Sequence, residues 1–158
     1  MSLAIRVATA ADAPALATLN RDVQALHAAA HPQWFSPLDE PAVMEAWFAE
    51  ALEKPDQAAL IAEREGRAIG YLLHELITRE PGPIHAAYRY AMIHHVAVAE
   101  QARRQGVALA LIDALRARLR EAQVTELRVV HFTFNDASAR LMQRAGLEPI
   151  HVTVSGPV

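Results

Sequence analysis

The stretch that most constrains the fold runs through residues 93–110. There the apolar run Ile93-His94-His95-Val96-Ala97-Val98 leads through Arg103-Arg104-Gln105-Gly106-Val107-Ala108 into a long amphipathic helix. A strand delivers the chain, a glycine lets the backbone come close to a ligand, and the first helical turn offers N–H groups with no partner inside the helix. Those free donors and the helix dipole favour an anion, phosphate above all. The pattern lacks the Gly-Lys-Ser/Thr ending of a P-loop and the Gly-x-Gly-x-x-Gly of a dinucleotide fold.

Periodicity lays out the rest of the chain around this junction. Residues 3–7 alternate as a short strand, and Thr9-Ala10-Ala11-Asp12 supplies polar caps for a helix over 12–31 that His31-Pro32 ends. A loop with Trp34, Phe35 and Pro37 leads to a second helix over 41–52, opened by Pro41 and ended by Pro55. Residues 58–63 and 68–78 read as strands joined by a hairpin turn at Glu65-Gly66, and Pro81-Gly82-Pro83 breaks the second. Strand 88–98 follows. The helix over 106–121 carries Val107, Leu111, Leu115 and Leu119 at i, i+4 spacing, and a strand over 127–134, a helix over 136–145 and a last strand over 149–154 complete the chain. This order predicts an α/β domain with an antiparallel front half and a crossover after the 88–98 strand.

Composition narrows the function. At 158 residues the chain suits a single domain, 1–158, burying roughly two-thirds of its unfolded surface. The absence of cysteine excludes disulfides, thiolate metal sites and a cysteine nucleophile. A formal charge of -3 argues against nucleic acid as a partner, and Arg116 and Arg120, four apart, read as a solvated helix face. No apolar run reaches the ~18 residues of a membrane span, and the N-terminus lacks the pattern of a secretion signal, so the expected location is the cytoplasm. His27 and His31 stand at a zinc-binding spacing, but no Glu follows His27 as in His-Glu-x-x-His. Strand alternation sends His94 and His95 to opposite faces. No metal is expected.

Arg103, Gly106 and Ala108 stand as Arg-x-x-Gly-x-Ala. This resembles the pyrophosphate-binding signature of the GNAT superfamily of acyl-CoA-dependent N-acyltransferases. Downstream, Asn135, Ser138, Gly146 and Leu147 are in register with the second hallmark of that superfamily, Asn-x-x-Ala/Ser-x-x-x-Tyr-x-x-x-Gly-Phe, with Met142 at the tyrosine position. Asn135 or Asp136 can cap the helix start, and Gly146 suits the left-handed residue that closes it. The two signatures stand one helix and one strand apart, and the order of elements is that of the GNAT fold over nearly the whole chain. The resemblance implies a mixed central sheet splayed between the 88–98 and 127–134 strands, with the pantetheine arm in the V.

The resemblance further implies acetyl-CoA as cosubstrate. Backbone groups of Val96 and Val98 would pair with pantetheine, and the Val96 N–H would stabilise the oxyanion. Amides of Arg104, Gln105, Gly106, Val107 and Ala108 would hold the pyrophosphate, with Arg103 capping the phosphates or pointing to solvent. Asn135, Ser138 and Met142 belong to the same cofactor wall, where the flexible thioether suits packing against pantetheine. Transfer is direct, so an ammonium acceptor must first lose a proton. His94 is the expected base: its position corresponds to one where polyamine acetyltransferases carry glutamate and arylalkylamine acetyltransferases carry histidine. An imidazole of pKa ~6.5 can accept that proton. Orientation of substrate by a His94 that does not titrate is an equal alternative, and Glu75 and His74 stand in reserve. Alternation puts Met92, His94 and Val96 on one face. With Met142 in place of the tyrosine no general acid is assigned; Ser138, one turn away on the same face, is a poor acid, Tyr88 and Tyr90 are not placed by the motif, and a thiolate of pKa ~8.5 is a tolerable leaving group.

The expected function is N-acetyl transfer from acetyl-CoA to a primary amine of a small molecule. The alternatives are a protein N-terminal or lysine acetyltransferase and a catalytically silent CoA-binding module. Acceptor choice would rest on the first two helices, their loop around His31, Trp34 and Phe35, and the turn 81–85. GNAT proteins often pair through terminal strands, and residues 150–154 are apolar enough to permit a homodimer.

Overall fold

Two-faced apolar strands organise the molecule, which the computed structural model describes over residues 2–37 and 40–157. β1 (Ala4–Val7), β2 (Gln57–Arg64), β3 (Arg67–Arg79), β4 (Tyr88–Val98) and β5 (Glu126–Val129) form one sheet in the order β1-β2-β3-β4-β5. The first four pair antiparallel, and β5 lies parallel to β4. That parallel pairing requires a crossover, supplied by α3 (Val107–Glu121). α1 (Ala13–Ala30) and α2 (Pro41–Glu53) cover one face, where Leu16, Phe48, Ile61, Tyr71 and Leu73 are buried together. α3 and α4 (Asp136–Arg144) cover the other, over Leu60, Leu72, Ile93, Leu111 and Leu115. Neighbours in sequence, such as Leu60 and Ile61, thus serve opposite cores, which is why β2 and β3 are apolar without interruption.

Local chemistry sets the junctions. Glu65 and Gly66 both adopt positive φ, as a tight two-residue hairpin turn requires. Asn135 Oδ1 accepts the Ser138 N–H at 3.0 Å and starts α4. Gly146, at φ 71°, closes it, with the Leu147 N–H donating to the Met142 carbonyl at 3.0 Å. An Arg116 guanidinium bound to the Ala145 carbonyl then ties α4 to α3; Arg116 is therefore a brace as well as a surface charge. Among the described residues, no helix is long and apolar enough to cross a membrane.

Two features of β4 shape the site. Its pairing with β5 begins at Tyr90↔Glu126 and stops at Ile93↔Val129, while β4 itself continues to Val98. The two strands therefore part beyond Ile93, and the expected splay is present. In the ladder with β3, Leu73 faces His95 and His74 faces Ile93, so His94 has no partner of its own: it is a β-bulge. The bulge shifts the side-chain alternation. Ala91 and Ile93 belong to the α3/α4 core before it, and Val96 and Val98 after it. His94 therefore does not share a face with Val96 as simple alternation predicts.

Two strands differ from expectation. The strand read over 127–134 ends at Val129, because β4 diverges there and leaves residues 130–134 without a ladder. The last strand, read over 149–154, is absent. Ile150, Val152 and Val154 are 65%, 80% and 87% exposed, and an apolar alternation with no partner edge forms no strand.

Gly70 matters for how α3 meets the sheet. It lies opposite Val98, and a Cβ there would meet the Ala97 carbonyl oxygen at 3.0 Å and Val107 Cγ1 at 3.1 Å. The missing side chain lets the first residue of α3 rest on the sheet. Gly70→Val is expected to destabilise the fold by about 1–3 kcal/mol in chemical denaturation. Unchanged stability would contradict this packing.

Candidate functional site

The start of α3 forms a cradle of free backbone N–H groups. Gly106 takes φ 81° and ψ 1°, a left-handed conformation, and Arg104 also has positive φ. The first helical hydrogen bond runs from the Ala110 N–H to the Gly106 carbonyl at 2.9 Å. The N–H groups of Val107, Ala108 and Leu109 are thus left without partners in the helix. A Cβ on Gly106 would meet nothing within 4 Å, so the glycine is demanded by its backbone angle and opens onto free space. The flanking side chains hold the loop rather than project from it. Arg103 donates to Asp22 on α1 at 2.8 Å and to the Val98 carbonyl at 3.1 Å. Gln105 accepts from Arg64 and donates to the Gln101 carbonyl, both at 2.8 Å. Arg104 is exposed. The donors left free in residues 103–108 are therefore backbone N–H groups and the exposed Arg104, while Arg103 is tied to α1 and still reaches solvent.

The edge of β4 runs toward this cradle. The Ala99 N–H donates to the Ile69 carbonyl on β3 at 2.9 Å. Backbone groups alternate sides along an antiparallel strand, so Val98 and Val96 turn theirs away from β3, toward the gap left by β5. An extended ligand can pair with this edge as a further strand would. The Val98 carbonyl is occupied by Arg103, and the Val96 N–H faces the open wedge. On the far wall, Asn135 spends its side-chain oxygen on the α4 cap, with Ser138 half-buried beside it. Met142 is only 6% exposed and packs into the α3/α4 core. Its thioether helps support this wall from within, and it carries no proton to donate.

At the bulge, His94 turns to β3, and its Nε2 meets Glu75 Oε2 at 2.7 Å. Both side chains keep contact with solvent. His95 lies toward α2, its ring stacked on Trp47 at 5.4 Å with a 20° interplanar angle. Tyr71 Oη donates to Asn20 Oδ1 at 2.9 Å and lies 3.3 Å from His95 Nδ1, which accordingly donates to it. Because Glu75, Tyr71 and Leu73 alternate onto the α1/α2 face, the bulge brings His94 and His95 to the same side, not opposite sides. This constellation of Glu75, Tyr71 and Asn20 was not assembled by sequence reading; the sequence signal was Asn20, a lone polar residue on the inward face of an apolar helix. Among the described residues, no three acidic or histidine side chains are grouped to hold a metal ion.

A second aromatic group joins the end of α1 to the residues that follow β5. His27 and His31 pack against Phe132 and Phe134, which follow β5, at ring separations of 5.3–5.7 Å. Trp34 stacks on His31 at 4.5 Å, and Phe35 packs on His27 at 5.1 Å. The i, i+4 histidines are therefore part of an aromatic wall. Tyr88 and Tyr90 are elsewhere: they stack on each other beneath Arg128, which sits 4.1 Å from the Tyr90 centroid and pairs with Glu126 at 2.6 Å. They lie at the end of β4 where β5 is still paired, before the strands part at Ile93. His74 alternates with Leu72 and Leu76 onto the α3/α4 face, opposite Glu75, and is 7% exposed.

Burial makes two of these histidines acid-sensitive. Desolvation, then the charges of Arg118 and His94, hold His74 down to about 4, and its Nδ1 is buried with no partner. His95 is held to about 4 by burial and by the charges of His94 and His27. A histidine whose folded value lies below its unfolded one contributes stability that is complete above the unfolded value and is lost as pH falls toward the folded one. The expected window is therefore from about pH 6.5 down to about 4, with a loss of roughly 3 kcal/mol at His74 by pH 4 and less at the partly solvated His95. Asp12 lies outside this window, since the Arg6 guanidinium holds its carboxyl well below the usual carboxylate range. Urea unfolding across that range, repeated with His74→Leu, tests this: the variant should show a shallower acid loss, and an unchanged slope would contradict it.

The comparisons with known proteins agree with this geometry. Residues 21–147 match the model of the acetyltransferase (GNAT) family. No curated protein sequence matches the chain. Among solved structures, the chain is similar to a mutant of the BH1408 protein from Bacillus halodurans, at TM-score 0.89 and 21% identity over 98% of this chain and 99% of that one. It is also similar to AAC(6')-Iy in complex with the bisubstrate analog CoA-S-monomethyl-acetylneamine, at TM-score 0.77 and 18% identity over 100% and 99%. A third is ribosomal-protein-alanine N-acetyltransferase from Brucella melitensis biovar Abortus 2308, at TM-score 0.70 and 18% identity over 100% and 99%. Identities at this level carry the fold.

Proposed function

Because the chain belongs to the acetyltransferase (GNAT) family, we propose that it moves the acetyl group of acetyl-CoA directly to a primary amine of a small molecule. The observation that carries this reading is the alignment of two unsatisfied sets of donors: the free edge of β4 beyond Ile93 and the first turn of α3. A ligand that is long, amide-bearing and anionic at one end fits both, and acetyl-CoA has that form. Val107, Ala108 and their neighbours in the loop would hold its diphosphate, and the Val96 N–H would receive negative charge on the thioester oxygen.

In the proposed reaction His94 takes a proton from the acceptor ammonium. The neutral nitrogen forms a C–N bond with the thioester carbon, the C–S bond breaks, and the second proton shed by nitrogen passes through water to the departing thiolate, so that coenzyme A leaves as the thiol. Glu75 accepts a hydrogen bond from His94 Nε2–H in this arrangement, leaving Nδ1 as the basic nitrogen. The mechanism needs no covalent enzyme intermediate, as befits a chain without cysteine.

The test is release of free thiol from acetyl-CoA on incubation with primary amines and, separately, with peptides. Release with small amines is the expected result. Release with peptides alone would overturn the small-molecule assignment, and release with neither would overturn transfer itself in favour of a silent CoA-binding module.

A further inference from the structure

The aromatic residues of this chain are distributed unevenly. Seven of the nine Phe, Trp and Tyr side chains gather around α1, α2 and the residues after β5, and each takes part in a ring pair there, while Tyr88 and Tyr90 pair with each other beneath Arg128. The core on the α3/α4 side is built from aliphatic residues, Met142 included. Close packing alone therefore does not account for the rings, since the opposite face packs without them. The two tryptophans are also poorly buried, Trp34 at 57% exposed and Trp47 at 43%. Each indole is backed on one side by a parallel imidazole, His31 at 4.5 Å and His95 at 5.4 Å, which fixes its plane and leaves area open to solvent.

These stacks flank the proposed base. His95 adjoins His94 in sequence, and β5 leaves the β4 ladder at Ile93↔Val129, so Phe132 and Phe134 of the aromatic wall follow within five residues of the position paired next to His94. Among the described residues, the carboxylate hydrogen-bonded to these histidines is Glu75. One carboxylate suits a single ammonium. A polycationic acceptor calls for several, because each desolvated charge needs its own counter-charge.

Resting on the transfer reading above, we propose that the acceptor is a monoamine carried on a flat aromatic or heteroaromatic group, which stacks in the wall of Trp34, His31, His27, Phe132 and Phe134 while its nitrogen meets His94 and Glu75. The wall is the specificity element. It excludes water around the reacting nitrogen and selects the shape of the group behind it.

The experiment uses the intact protein with acetyl-CoA and four amines: 2-phenylethylamine, tryptamine, hexylamine and spermidine. Turnover is read as thiol release, and binding in the presence of CoA as quenching of tryptophan fluorescence. The aryl amines should exceed hexylamine in kcat/KM by about tenfold or more, with spermidine lowest. Trp34→Ala should collapse the aryl-over-alkyl ratio, chiefly through KM, and Trp34→Phe should retain most of it; acetyl-CoA uptake checks that both variants are folded. Turnover with equal or reversed preference would overturn the aromatic site and leave acetyl transfer standing. Saturable quenching by aryl amines without thiol release would support the site and sink the transfer reading. Neither binding nor turnover with any of the four would overturn the site.

Discussion

His94→Ala is expected to lower kcat/KM for amine acetylation by about a thousandfold near neutral pH, within the range that a positioned base contributes. The argument is geometric. The bulge forces His94 out of register with β3 and turns it to Glu75 at 2.7 Å, a contact that fixes one ring nitrogen and frees the other. Acetyl-CoA affinity should change little, because the backbone groups proposed to hold the cosubstrate do not include the His94 side chain. The acid limb of the pH–rate profile should disappear in the variant, since that limb reports protonation of the base. Glu75→Gln should keep the tautomer but weaken the contact, giving a smaller loss in rate. A His94→Ala enzyme that retains both rate and limb would leave proton removal to water, and His94 as an orienting group at most.

Gly106→Val is expected to weaken acetyl-CoA binding by about a thousandfold, equivalent to about 4 kcal/mol, because two or more charge-assisted hydrogen bonds are lost together. Two effects add. The left-handed φ of 81° costs an L-residue about 1–2 kcal/mol, and a branched side chain would occupy the space beside the free N–H groups. Gly66→Val is the matched control. Gly66 has φ 73° and nothing within 4 Å of its Cβ position, but it sits in the β2–β3 turn. Both variants should lose similar stability in denaturant, and only Gly106→Val should lose acetyl-CoA affinity in calorimetry. Equal affinity in the two would mean that the cradle is not used.

The parts of the fold that depend on local chemistry were legible in the residues. Asn135 and Gly146 bound α4 as capping predicts, Glu65-Gly66 turns the hairpin, and the apolar alternation of β4 matches its limits of Tyr88 and Val98. What escaped depends on pairing partners. The bulge at His94 leaves no mark in an apolar run, because a single inserted residue changes phase without changing composition; it reversed the relation of His94 to His95 and Val96. Strand β5 stops where its neighbour departs, and residues 149–154 show strand alternation with nothing to pair against. Gly70 inside a strand was a visible hint of close approach, but only the structure shows that the approach is by Val107. The partnership of Arg103 with Asp22 joins residues far apart in sequence and has no local signature.

The most direct test of the account is an amide spectrum of the 15N-labelled protein titrated with acetyl-CoA. The largest changes should fall on two separate runs, Gly106 to Leu109 at the head of α3 and Val96 to Val98 on the open edge of β4, and they should saturate together. Perturbations confined to other surfaces, or at the helix head without the strand edge, would contradict a cosubstrate lying along the wedge.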